Sequence, residues 1–256
     1  MQPIDLGSKF LDGTVHNGAL RVVINRPERR NACTIEMYHG IKKAAVLAEK
    51  DPDIDTLLLT GTNDVFCVGG EMGGQHEGGG TIDRETDGLD LLPFQQLESL
   101  SKIVVTAVNG LCHGGGLNMV LCSDIAVASD RATFRAPELL RGVADPFLPA
   151  RLPARVGIAL AKYLLFTAAS IDAAEAARIG LVAKVLPHEE LPVHVEWVLE
   201  QIRRTGPAAR AAVKQDINRH LPRFDIPMFA RSLRSAEVVE GFQAFVEKRL
   251  PAWPRG

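Results

Sequence analysis

The chain has 256 residues, 46% of them hydrophobic and 23% charged, and 29 basic against 31 acidic side chains leave a net charge of −2. That composition excludes a disordered chain, a collagen-like repeat and a disulfide-dense mini-protein, and a chain of this length can bury roughly three quarters of its unfolded surface. The near-neutral balance gives no electrostatic case for nucleic acid or an anionic membrane surface as partner.

The first ~130 residues alternate strand and helix signals. Residues 19–24 are a short β-branched run. Residues 34–50 read as a helix with Thr34 as N-cap and Glu36 in its first turn, stopped by Asp51-Pro52. Residues 56–60 read as a buried strand ending in Gly61, residues 97–100 close a helix, and residues 103–108 form a strand before Asn109-Gly110 and a triple glycine. Short strands follow at 125–128 and 132–134. This alternation predicts an α/β layered domain with mostly parallel strands. Beyond residue 173 the pattern becomes helical, over 173–179, 191–204, 207–221 and one long amphipathic stretch at 226–250, with strand signals nearly absent after Val185. Two parts are expected: an α/β part over 1–190 and a helical part over 191–256.

The four cysteines, Cys33, Cys67, Cys112 and Cys122, make no C-x-x-C pair, which points to a reducing compartment. With no leader pattern at the N-terminus and no apolar run near ~20 residues, the expectation is a cytoplasmic protein without a membrane span. Scattered histidines give no metal site. The P-loop, the G-x-G-x-x-G fingerprint and the G-x-S-x-G elbow are all absent.

Two glycine-rich turns after apolar strands remain: Phe66-Cys67-Val68-Gly69-Gly70-Glu71, and Asn109 to Asn118 with Gly114, Gly115 and Gly116. Residues 117–122 then read as a helix start, where free N–H groups and the helix dipole favour an anion. One N–H from each turn, converging on a carbonyl oxygen, would make an oxyanion hole; simple connections are the other reading. Seven of the twelve residues from Gly69 to Gly80 are glycine. They read either as a mobile surface loop or as a loop bordering a site.

In order along the chain, several motifs resemble those of the crotonase superfamily, the enoyl-CoA hydratase/isomerase family. Residues 25–32, from Asn25 to Ala32, resemble a CoA-contacting turn. Residues 66–71 resemble the family's F-x-A-G-A-D turn. Ala107 to Gly110 with Gly114 to Gly116 resemble its second oxyanion turn, and Phe134-Arg135-Ala136-Pro137-Glu138 resembles a segment that carries a catalytic glutamate. Residues 173–182, 185–187 and 240–249 add further matches. The resemblance implies a crotonase-like spiral of ββα units with a C-terminal α-helical trimerisation part, assembled as a homotrimer or dimer of trimers. It implies an acyl-CoA thioester as substrate, with coenzyme A belonging to the substrate and no further cofactor.

Carried over by position, the resemblance makes Gly70 and Gly115 the oxyanion donors and Glu138 the acid–base group. Val68 and Gly69 would lie against the CoA, Arg29 and Arg30 would flank its phosphates, and Lys248 would reach the CoA of a neighbouring subunit. Family hydratases carry a second glutamate shortly after the triple glycine; here that position is Asn118. Asparagine exchanges no proton near neutral pH but can orient water. The implied activity is single-carboxylate proton transfer, isomerising or hydrating an enoyl-CoA. Hydrolysis or decarboxylation of an acyl-CoA on the same scaffold, or a weakly catalytic CoA-binding protein, are the alternatives. Asp145 lies in an atypical segment, Val143 to Pro149, and reads either as an acid/base in the pocket or as a cap of the next helix.

Overall fold

The computed structural model describes residues 2–71 and 92–254. Most of the glycine-rich segment after Glu71 therefore lies outside the described residues. Strands pair into two sheets. The larger has the order β1 (Gln2–Ile4), β2 (Leu11–His16), β3 (Ala19–Ile24), β4 (Thr56–Gly61), β6 (Ile103–Val108), β8 (Ile125–Ser129), β11 (Lys184–Leu186). The smaller runs β5 (Val65–Cys67), β7 (Leu111–His113), β9 (Thr133–Arg135), β10 (Ile171–Asp172). Strands β1 to β3 form an antiparallel meander, and from β3 onward the large sheet is parallel.

The topology repeats a unit. β4, β6 and β8 each enter the large sheet, and the chain then turns at once into β5, β7 and β9 of the small sheet. Each repeat lies one strand further along both sheets, which is the spiral of ββα units. Every turn of the spiral therefore delivers its connection to the same end of the small sheet.

Alternation along the strands divides the core. Leu57 and Leu59 of β4 join the main core with Met37, Ile41, Ala44 and Ala48 of α1 (Ile35–Lys50). Leu58 faces the other way, with Val105 and Val127, under Val195, Val198 and Ile202 of α7 (Leu191–Arg203). The side-chain period of two makes each buried strand feed both layers. As expected, Thr34 caps α1, its Oγ1 accepting from the Met37 N–H at 3.3 Å.

One expectation needs correction. The stretch 226–250 is two helices, α9 (Ile226–Leu233) and α10 (Ala236–Val246), because Ser235 turns out of the helix and its Oγ accepts from the Val238 N–H. The helix that Asp145 was read as capping, given no bounds from sequence, is α4 (Phe147–Val156), followed by α5 (Ile158–Thr167) beyond Gly157 at φ 81°. The large sheet ends in β11 at 184–186, where the last strand signal falls, at Val185. The remaining helices are α2 (Phe94–Ser99), α3 (Gly115–Leu121), α6 (Ala173–Arg178) and α8 (Pro207–Asn218). No helix among the described residues is long and apolar enough to cross a membrane.

Candidate active site

β5 and β7 are parallel neighbours, so the glycine turns that follow them leave the sheet side by side. Gly69 has φ 96° and Gly114 φ 54°, in the left-handed region that side chains avoid. A Cβ on Gly69 would stand 2.9 Å from the Gly115 nitrogen, so the two turns meet closely because no side chain separates them. The Gly69 carbonyl accepts from the Cys33 N–H, and the Glu71 N–H donates to the Cys33 carbonyl, both at 2.8 Å. Bonds flanking Gly70 on both sides direct its own N–H away from the Cys33 segment. Gly115 is the first residue of α3, where an N–H has no intrahelical acceptor. Among the described residues, neither N–H has a hydrogen-bond partner.

β9 runs beside β7 and leads through Pro137 into a 3-10 turn, Glu138–Arg141. A Cβ on Gly114 would lie 3.2 Å from Glu138 Oε1 and 3.5 Å from the Val68 carbonyl oxygen. Glu138 is half-buried, and its Oε2 is sealed without a partner among the described residues. Burial first, and the Asp145 carboxyl second, push its pKa up to about 8. The turn is held from behind by α10: Gly241 lies against the Arg141 backbone, and the Arg141 guanidinium covers the Phe245 ring at 4.0 Å.

Asn118 lies on α3, 1% exposed, and its Nδ2 donates to Asp145 Oδ2 at 2.9 Å. Asp145 Oδ1 accepts from the Phe147 and Leu148 N–H groups, at 2.8 and 2.9 Å, at the start of α4. Both oxygens of Asp145 are thus engaged: it caps the helix and stands beside Glu138 as well. Burial raises its pKa against the pull of those hydrogen bonds. Asn118 Oδ1 is a second sealed acceptor without a partner among the described residues.

The structure therefore gathers Gly70, Gly115, Glu138, Asn118 and Asp145, with Val68 and Gly69 in the first turn. Arg29 and Arg30 are exposed on the turn after β3, which is tied to Gly69–Glu71 through Cys33 and through the Arg26–Glu71 ion pair at 2.9 Å. Buried Asn31 braces it further, accepting from the Arg26 N–H and donating to the Val65 carbonyl, each at 2.8 Å. Lys248 is exposed just beyond α10 and makes no described contact with this cluster. Arg26, Asn31 and Tyr38 were not singled out from sequence. Arg26 and Asn31 sit in a polar turn, where burial is not visible, and Tyr38 lies on the buried face of α1, where an aromatic reads as core. A separate cavity of about 430 Å³ opens between α4 and α8. Its lining charges are all engaged: Arg151 pairs with Glu98, Lys214 with Asp124 at 2.7 Å, Arg210 with Asp55 outside the lining, and Arg155 donates to the Ser123 carbonyl.

The enoyl-CoA hydratase/isomerase family model matches residues 14–256. The chain is 34% identical over 236 residues to a crotonyl-CoA hydratase of Syntrophomonas wolfei, covering 88% of this chain and 90% of that protein. It is 33% identical over 237 residues to a short-chain-enoyl-CoA hydratase of Clostridium acetobutylicum, covering 89% and 91%. The crystal structure of an enoyl-CoA hydratase/isomerase from Pseudoalteromonas atlantica superposes with a TM-score of 0.83 at 30% identity, covering 96% of this chain and all of that one. With the ββα spiral and the paired glycine turns, these likenesses show that the chain belongs to the enoyl-CoA hydratase/isomerase family, within the crotonase superfamily.

Proposed function

We propose that the protein adds water reversibly across the double bond of a trans-2-enoyl-CoA thioester, with Glu138 as the single acid–base carboxyl. The observation that carries this is the sealed, unpartnered Oε2 of Glu138 beside two glycine turns with free N–H groups. The thioester oxygen sits between the Gly70 and Gly115 N–H groups. As water oxygen bonds to the β-carbon, the C=C electron pair moves onto the thioester, and the oxygen becomes anionic. Fixed donors stabilise that charge by about 3 kcal/mol each without reorganising. Glu138 gives its proton to the α-carbon and takes one from the adding water, so it ends as it began. Asn118 Oδ1 orients the water as an acceptor; its Nδ2 and Asp145 hold it in place.

Arg29, Arg30, Val68, Gly69 and Lys248 bind the CoA in this reading, which supplies binding energy remote from the reacting carbons. Named relatives that are crotonyl- and short-chain-enoyl-CoA hydratases support hydration. A second reading, migration of the double bond, is favoured by Asn118, which has no proton to exchange. We also propose a homotrimeric assembly or a dimer of trimers, formed through the helical part over 191–256, and a cytoplasmic location.

Incubating the protein with a mixture of acyl-CoAs and weighing the products separates these readings. Gain of one water is expected from trans-2-enoyl-CoA. Unchanged mass with a shifted absorption band would mean isomerisation, and free CoA would mean hydrolysis.

A further inference from the structure

Tyr38 is the polar residue of the site that this mechanism leaves unused. It lies on the buried face of α1 among Met37, Ile41, Ala44 and Ala45, and is 3% exposed. Its ring is fixed edge-on to Phe94 at 5.9 Å. A Cβ on Gly115 would collide with the Tyr38 hydroxyl oxygen. The hydroxyl therefore stands directly against the α-carbon of the residue whose N–H faces the thioester. No hydrogen bond of the hydroxyl is found among the described residues, and its oxygen is not among the sealed unpartnered atoms, so it keeps an open side toward the site. A buried phenol normally finds a partner, and a hydroxyl open on one side is free to take one from a bound ligand.

We propose that the Tyr38 hydroxyl is a third donor of the oxyanion hole, bonding the thioester oxygen of bound acyl-CoA beside the Gly115 N–H. The inference rests on the function proposed above and adds a residue to it. A phenol suits the task because it brings a proton without bringing a charge. Burial first, then the neighbouring Cys33, Cys67, Glu138 and Asp145, hold its pKa well above the ordinary tyrosine value, so the proton stays on oxygen. Glycine at position 115 leaves room for the hydroxyl at that point; any side chain there would displace it.

The variant is Tyr38→Phe, which keeps the ring and its contact with Phe94. Two readings are taken on folded protein of matched thermal stability. With trans-2-butenoyl-CoA, kcat falls on the order of 10- to 100-fold while KM barely moves, because the bond strengthens as charge develops on oxygen. With cinnamoyl-CoA as a bound chromophore, the wild type moves the absorption band to longer wavelength by polarising the carbonyl, and Tyr38→Phe moves it less. An equal band shift and equal kcat in the two proteins would overturn the role of Tyr38 and leave the Gly70 and Gly115 donors standing. A raised KM at unchanged kcat would also overturn it, since Tyr38 would then only pack against substrate. Cinnamoyl-CoA that binds the wild type with no band shift would overturn the oxyanion hole itself, and Tyr38 with it.

Discussion

Glu138 keeps its proton in a pocket that resists ionisation, and this has a consequence for stability as well as for chemistry. Its folded-state pKa is about 8, against an ordinary 4.5. Between those values the folded chain holds a proton that the unfolded chain has lost, so stability falls as pH rises through this window and levels above it. Glu138→Gln cannot ionise. Its urea midpoint relative to wild type should rise between pH 5 and pH 9; a constant difference would show that Glu138 ionises normally. Asp145→Ala removes the acceptor for two N–H groups of α4 and releases Asn118, and should cost about 1–2 kcal/mol in urea unfolding. That Glu138, Asn118, Gly70 and Gly115 come together was legible because each falls in a motif of fixed spacing. Asp145 remained two-valued, since a carboxyl before a helix reads as a cap whether or not it also lines a pocket. The structure shows it doing the first while standing next to Glu138.

At the scale of elements, the turn that presents Glu138 has no ladder of its own and leans on α10. Gly241 lies against the Arg141 backbone, where a Cβ would stand 2.5 Å from the Arg141 carbonyl carbon, and Gly142 lies against Glu237. Gly241→Leu should push the turn outward. It should destabilise the chain by about 1–3 kcal/mol and lower kcat more than it raises KM. Steady-state kinetics beside thermal melts measure both effects, and full activity would mean that the turn stands without α10. The break between α9 and α10 was invisible to periodicity. Apolar positions such as Phe229, Leu233 and Val238 keep near-helical spacing across Ser235, and the break is marked by its extended backbone and the hydrogen bond from the Val238 N–H. The extent of α4 was not legible because it carries prolines: Pro146 and Pro149 fall before and within its first turn, where no intrahelical N–H bond is lost, and Pro153 lies inside it.

The whole molecule is a spiral in which β4–β5, β6–β7 and β8–β9 repeat one step, and the site forms where three successive small-sheet strands end together. The strand–helix alternation predicted the layers and the parallel strands, but the division into two sheets rests on pairing between distant residues, which one sequence does not display. Exposed apolar side chains on the helical part, Trp197 at 57%, Val213 at 59% and Ile217 at 63%, suit the subunit contacts proposed above. Light scattering at micromolar concentration should return three or six times the chain mass, and a monomer would contradict that proposal. The central claim is that one carboxyl, Glu138, carries the proton. Its most direct test is the rate of 3-hydroxybutanoyl-CoA formation from trans-2-butenoyl-CoA by wild type and Glu138→Gln at neutral pH. A loss in kcat on the order of 100-fold or more with unchanged acyl-CoA binding is predicted, and hydration at the wild-type rate by Glu138→Gln would contradict it.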